Sequence, residues 1–279
     1  MKILITGANG FIGKKVVETI SKTDDSIFAV DINNNNLSNN VNFVKIDIFS
    51  HLPKDIFKDV DVVLHLAYRN GFKHNDPSHL KDLRKHKRFL KSAMKAGVKK
   101  VVSMGTMHEV GYFEGAIDAN TPCNPTTNYG IAKNKLRNWL FAYAKKHHVN
   151  VQWIRAYYIY SNDLNGQSIL CKIYQANEAG EKEFKLSSCE HKFDFISVDE
   201  LAKQICCVTL NNDTFGIINC CSGKPVSMKE QVNTFIKENN LVIRPIFGAF
   251  PNRVGESPCI YGDSSIIDSM MKGFKLWKL

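Results

Sequence analysis

The sequence predicts an α/β protein built on a doubly wound parallel sheet with a smaller C-terminal substrate-binding lobe. Three observations carry that prediction. Gly7, Gly10 and Gly13 fall at a strict spacing of three between an apolar run, Ile3, Leu4 and Ile5, and residues Phe11, Ile12, Val16, Val17 and Ile20 at helical spacing. Strand-like and helix-like segments then alternate through the first half of the chain, as a parallel sheet requires. Finally, 279 residues suffice for one large domain with an appendage.

The first run is short and apolar on both faces, so it reads as a buried parallel strand. The glycines form a strand-to-helix turn where a backbone without Cβ atoms can approach a ligand, and the helix beyond offers free N–H groups and a positive dipole end. A dinucleotide pyrophosphate fits that position; tight helix-on-strand packing is the alternative use of the same glycines. "SIFAVDI" is the second strand and ends in Asp31, about 20 residues downstream, where an acidic side chain accepts hydrogen bonds from the adenosine ribose. A carboxylate there repels a 2′-phosphate, so NAD is expected over NADP, with an ordinary strand-end aspartate as the alternative.

Further strands are expected at "NFVKIDI", "DVVLHLA" and "VKKVVSMG". The asparagine-rich "NNNNLSNN" before the first of these reads as a surface loop without chemistry. In the basic segment 81–100, Leu83, Leu90, Met94 and Val98 keep roughly helical spacing, which leaves the lysines and arginines on a solvated face. After Pro122 and Pro125 comes a helix with Leu136, Leu140 and Tyr143 on its apolar face, and "VNVQWIRAYYIY" is the next strand. Residues 1–158 form the dinucleotide-binding unit, with 196–222 returning to it; 159–195 and 223–279 form most of the second lobe.

Composition narrows the classes. No apolar run reaches the ~20 residues that cross a bilayer, and the amino terminus enters a strand at once, so a cytoplasmic protein is expected. The eight cysteines contain no C-x-x-C pair and include two adjacent pairs in apolar stretches, so buried thiols are expected and no metal site. The net charge of +10 points to anionic partners. The basic segment lacks interleaved aromatic residues for base stacking, so nucleotides are expected rather than nucleic acid.

Of the nine tyrosines only Tyr129 has a lysine four residues on, Lys133. One helical turn apart they share a face, and an ammonium beside the phenol would lower its pKa. Such a tyrosine can exchange a proton with an alcohol oxygen while hydride moves to or from a nicotinamide.

Taken together, "GANGFIG", Asp31, Asp47 in "KIDI", "HLA" at 65–67 and the Tyr129–Lys133 pair resemble the extended short-chain dehydrogenase/reductases, and within them the nucleotide-sugar epimerases, dehydratases and ketoreductases. The resemblance implies a Rossmann fold binding NAD through Gly7, Asn9, Gly10, Phe11, Ile12, Gly13, Asp31, Asp47, Ile48, Leu66, Ala67 and Lys133, the last on the nicotinamide ribose. It implies a third catalytic group, Thr106, with Ser103 as the competitor within the strand. Dehydratases of this kind follow the threonine with an Asp-Glu pair; Met107 and His108 stand there instead, which disfavours dehydration. His108 is either a substrate contact or structural.

"IRAYYIYSN" departs from the family's R-x-x-N-x-Y-G-P at Tyr158 and Ser161, whereas "FDFISVDELA" and "GIINCCSGKPVSMKE" resemble its later segments. By the same resemblance Arg253 in "PNRVGESP" binds the nucleotide diphosphate, a solvated loop arginine being the alternative. Family members commonly pair the helices at about 78–97 and at Tyr129 into a homodimer, which would cover Leu83, Leu90, Leu136 and Leu140. The implied function is NAD-linked 4-keto reduction of a nucleotide-linked hexose or deoxyhexose. A 4-epimerase with retained NAD and a non-catalytic dinucleotide sensor are the alternatives.

Overall fold

The glycine turn joins β1 (Lys2–Thr6) to α1 (Phe11–Ile20), and the alternation that follows builds one parallel sheet. In the computed structural model, which describes residues 1–35, 37, 41–161, 166–252 and 255–274, the next elements are β2 (Ser26–Asp31), β3 (Asn42–Lys45), β4 (Val62–His65), α2 (Ser78–Lys95) and β5 (Lys100–Met104). A short 3-10 turn (Met107–Glu109), β6 (Gly115–Ile117), α3 (Asn128–Lys146), β7 (Asn150–Ala156) and β8 (Tyr158–Tyr160) follow. The remainder is α4 (Ile169–Glu178), β9 (Glu183–Lys185), β10 (Lys192–Ser197), α5 (Val198–Leu210), β11 (Gly216–Cys220), β12 (Pro225–Ser227), α6 (Met228–Glu238), β13 (Arg244–Ile246), β14 (Cys259–Gly262) and α7 (Ser265–Gly273).

The main sheet has the order β11-β7-β5-β4-β1-β2-β3, every pair parallel. Its strands are apolar on both faces because both are covered. Ile3 and Ile5 point into a core shared with α1, α5 and α7. Leu4 points the other way, into a core with Phe89 and Leu90 of α2 and Leu136 and Leu140 of α3. A second sheet, β12-β10-β14-β6 with β8 alongside β10, and the small β9–β13 pair stand beside it. Among the described residues no helix is long and apolar enough to cross a membrane, and no cluster of three His, Cys, Asp or Glu side chains could hold a metal.

Three sequence expectations change. "VNVQWIRAYYIY" is two strands: the chain leaves the main sheet at the buried Tyr157, and Tyr158 re-pairs with Phe195 of β10. The basic segment 81–100 is not one solvated helix face. Its helix stops at Lys95, and Lys100 opens β5, where it is 4% exposed and donates to the carbonyls of Thr209 and Asn211 at 2.6 and 2.9 Å. Burial lowers its pKa to about 8. Third, Leu90, Leu136 and Leu140 lie in the chain's own core and cannot serve as a contact for a partner. Outside them, Trp139 stacks on Tyr143 at 5.3 Å, with Lys87 over the first ring and Lys91 over the second.

The glycine turn is held by backbone packing. A Cβ on Gly13 would lie 1.9 Å from the Gly7 carbonyl oxygen, and one on Gly7 would lie 2.6 Å from the Ala67 backbone. Gly71, by contrast, has open space around it and no positive φ. Gly13→Ala should therefore cost about 1–3 kcal/mol through overpacking, while Gly71→Ala should stay within about 0.5 kcal/mol of wild type. Urea unfolding of the two variants side by side checks this.

Candidate active site

The parallel sheet brings the ends of β1, β2, β4 and β5 to one edge, and the residues singled out in the sequence collect there. Gly7 and Gly13 serve packing, whereas Gly10 is exposed and starts α1 with no side chain capping it and no acidic residue in the first turn. The free N–H groups of that turn are a site for an anion. Packing thus accounts for Gly7 and Gly13, and Gly10 begins the open helix end.

Asp31 stands beside the turn. Its Oδ2 accepts from the Asn9 N–H at 2.9 Å and its Oδ1 from the Ile32 N–H at 2.7 Å. Each oxygen keeps a second lone pair for a ribose hydroxyl. The Asn9 side chain donates to the Asn33 Oδ1, so the asparagine-rich stretch, expected to be without chemistry, has its first residue at the glycine turn. Asp47 is exposed, with Oδ1 on the Phe49 N–H at 2.9 Å, while the Ile48 side chain is in the core. Phe11 and Ile12 open α1, and Leu66 and Ala67 back the turn: the Leu66 and Ala67 N–H groups donate to the Thr6 carbonyl and Thr6 Oγ1. These groups form a concave turn with the uncapped end of α1 on one side and the Asp31 carboxylate on its rim.

Tyr129 and Lys133 lie in the first turns of α3. The Thr106 side chain lies near enough to the Tyr129 hydroxyl to lower the phenol pKa, and Ser103 lies within β5 with its hydroxyl buried and unpartnered. Thr106 also accepts from the His108 N–H at 3.3 Å as the cap of the short turn after β5.

The expected lowering of the phenol pKa does not occur. Burial pushes Tyr129 up to about 12, helped by the Glu109 carboxylate and opposed by the Thr106 side chain. Lys133 is itself driven down to about 7 by burial, with Glu109 opposing. Its Nζ donates to the Met104 carbonyl at 2.6 Å and sits 3.9 Å over the Tyr68 ring, but 6.0 Å from the centre of the Tyr129 ring. Desolvation of both groups outweighs their attraction at this distance.

An aromatic wall surrounds the phenol. His74 lies parallel to Tyr129 at 5.5 Å, and His79 and Tyr68 approach at 5.3 and 5.4 Å. His108 packs on His74 at 4.3 Å and on Tyr129 at 6.0 Å; burial and His74 lower its pKa to about 3, so it is neutral. The loop before α2 also holds the helix itself, because the His74 carbonyl accepts the Tyr129 N–H at 2.8 Å. Behind the wall, His65 of the "HLA" segment bonds Thr6 Oγ1 at 2.9 Å and His86 at 2.8 Å, and burial lowers its pKa to about 3. Sequence reasoning missed this wall, since its members come from three separate segments. It also missed Glu109, although a threonine followed three residues later by a glutamate is a capping-box signature. Arg253 lies outside the described residues.

The NAD dependent epimerase/dehydratase family matches residues 3–221. A dTDP-6-deoxy-L-talose 4-dehydrogenase (NAD(+)) of Aggregatibacter actinomycetemcomitans is 40% identical over 94% of this chain and 99% of its own. Two solved structures share the fold. A UDP-N-acetylglucosamine 4-epimerase of Methanobrevibacter ruminantium M1 in complex with UDP-N-acetylmuramic acid has TM-score 0.86 at 21% identity, covering 98% of this chain and 92% of that one. A UDP-glucuronic acid 4-epimerase of Bacillus cereus with UDP-glucuronic acid and NAD has TM-score 0.83 at 18% identity, covering 99% and 95%. With the family match over residues 3–221 and the 40% identity across nearly the whole chain, on a parallel sheet that gathers the glycine turn, Asp31 and the Tyr129 helix at one edge, the chain belongs to the NAD dependent epimerase/dehydratase family and is an NAD-linked oxidoreductase.

Proposed function

We propose that this chain interconverts the C4 hydroxyl and C4 ketone of a nucleotide-linked 6-deoxyhexose, in the direction of ketone reduction at neutral pH. The observation that carries the reading is a protonated Tyr129, its pKa raised to about 12, with the Thr106 side chain beside its hydroxyl. An oxygen seated between the two hydroxyls can be held by Thr106 and receive the Tyr129 proton. Bound NADH would supply the hydride. The uncapped end of α1 would hold its pyrophosphate, Asp31 its adenosine ribose and Lys133 its nicotinamide ribose. The 4-dehydrogenase activity of the Aggregatibacter actinomycetemcomitans relative, oxidation of a 6-deoxyhexose at C4, is this same exchange in reverse. Met107 and His108 supply no carboxylate for dehydration, and the neutral His108 ring suits an uncharged sugar.

We place the reaction in the cytoplasm, in keeping with cysteines that are all free among the described residues. The dinucleotide unit, 1–158 with 196–222, would hold the cofactor, and 159–195 with 223–279 the substrate, Arg253 at its diphosphate.

Tyr129→Phe should lower single-turnover hydride transfer roughly 10²- to 10⁴-fold while NADH titration changes little. Lys133→Ala should lose NADH affinity as well, and Thr106→Val should reduce turnover far more than the small fall in melting temperature that its lost cap brings. A Tyr129→Phe enzyme reacting at the normal rate removes the assignment. Because a phenol donates only when protonated, reduction should slow, and oxidation quicken, as pH rises toward the Tyr129 pKa. Product analysis for the C4 epimer beside NADH consumption separates reduction from epimerisation.

Calorimetry should find NADH bound more tightly than NADPH, since Asp31 repels a 2′-phosphate; Asp31→Asn should narrow the gap.

We also propose a homodimer, formed on the outer α2–α3 face at Leu83, Trp139 and Tyr143. Salt that screens Lys87 and Lys91 should strengthen it. Light scattering that gives a monomer mass at micromolar concentration, in both low and high salt, removes this assembly.

A further inference from the structure

Glu109 is fully buried directly beneath the Thr106 turn and touches neither lobe's solvent. Its Oε1 accepts from the Thr106 N–H at 2.9 Å and from the Trp153 indole N–H at 2.8 Å. Its Oε2 faces Arg137 Nη1 of α3 at 3.1 Å and Arg155 Nη2 of β7 at 3.9 Å, as ion pairs without an aligned hydrogen bond. The residue before Thr106 is Gly105, where a Cβ would lie 2.1 Å from the indole nitrogen and 2.6 Å from Oε1. The strand end is thus shaped around this carboxylate. A buried charge with two guanidinium partners is costly to assemble and could be replaced by apolar packing in a purely structural role.

We propose that Glu109 is a positioning residue of the active site. Its carboxylate fixes the turn that presents the Thr106 hydroxyl to Tyr129, and it ties that turn to α3 and β7, so that the Thr106 and Tyr129 hydroxyls keep one spacing. The inference rests on the roles given to Thr106 and Tyr129 above.

The same carboxylate sets part of the field at the reacting groups. It raises the pKa of both Tyr129 and Lys133, the two groups of α3 that face it with Arg137. From β7 and beyond come Arg155, Trp153 and the buried Tyr157 hydroxyl, and the Cys123 thiol accepts from both guanidinium groups at 3.2 and 3.8 Å. Removing the negative charge leaves two guanidinium groups uncompensated, so both pKa values fall.

The test is Glu109→Gln, whose amide oxygen can still accept from Thr106 and Trp153. Expected are a kcat lowered roughly 10- to 100-fold, as for misplacement by a fraction of an ångström to about one ångström, and KM for NADH within about twofold of wild type. The rising limb of the oxidation rate against pH should move to lower pH, which loosened packing alone would not cause. A Gln variant with normal kcat and an unmoved limb overturns the proposal. So does one whose loss of kcat is accompanied by no pH shift. Should Glu109→Gln fail to fold, Trp153→Phe removes the indole donor along with part of the ring; on protein that remains folded at the assay temperature it should lower kcat severalfold at unchanged KM, and normal kcat in that variant overturns the proposal. Tyr129→Phe is run in parallel: full activity there refutes the site assignment itself, independently of how Glu109 behaves.

Discussion

In a parallel sheet every strand delivers its carboxyl end to the same edge, and the register of this one decides which residues can meet. Thr6 pairs with His65 and His65 with Ser103, so the glycine turn, the Leu66–Ala67 backbone and the Thr106 turn leave the sheet side by side. Asp31, the last residue of β2, lies beside them and is fastened to the turn through the Asn9 N–H. A slip of one residue in β4 would turn His65 to the opposite face of the sheet and take the backbone of Ala67 away from Gly7. The concave turn, the threonine and the buried His65–His86 pair are therefore consequences of one register. The tyrosine helix joins them from outside the sheet, gripped by the His74 carbonyl, with the Thr106 side chain beside the Tyr129 hydroxyl.

Burial gives the groups at that edge an unusual electrostatic setting. His65 and His108 are pushed to about 3, Lys133 to about 7 and Tyr129 to about 12, all with desolvation as the leading cause. At neutral pH the two histidines and the phenol are uncharged, and Lys133 is poised between its forms. The full charges stand one layer back, in Glu109, Arg137 and Arg155. In the proposed reaction a phenol that must lend and recover a proton without trapping it gains from such a layout, because Tyr129 would meet no fixed opposite charge while the outer ions still bias its pKa.

Much of this was legible in the chain. The spacing of Gly7, Gly10 and Gly13, the apolar runs on either side and the acidic end of β2 state a nucleotide-binding turn in local terms, since each depends on neighbours close in sequence. Tyr129 and Lys133 share a helical face for the same reason. What could not be read is tertiary. The strand through Trp153 and Tyr157 looks continuous in hydrophobicity, yet it serves two sheets because Tyr158 finds its partner, Phe195, far along the chain. Leu90 and Leu140 have the pattern of an exposed apolar stripe only if the facing helix is unknown; once α2 and α3 pack on each other, both are core. The phenol pKa was misjudged because sequence spacing reveals the nearby lysine and conceals the rings that exclude water from both.

The basic segment shows how a charge pattern acquires meaning from packing. In sequence it reads as a solvated helix with a surplus of cations. In the fold, Lys87 and Lys91 lie over Trp139 and Tyr143, Arg88 donates to the Phe49 and Ser50 carbonyls, and Arg69 and Lys85 meet both Asp82 and the Phe49 ring. Long cationic stems covering aromatic surface stabilise it while keeping their charged ends wet. Much of the positive charge on α2 is thus spent on fastening that helix to α3 and to the loop after β3. Since α2 and the loop before it also carry His74, His79 and His86, the cations that looked like a binding surface contribute instead to holding the aromatic wall around Tyr129.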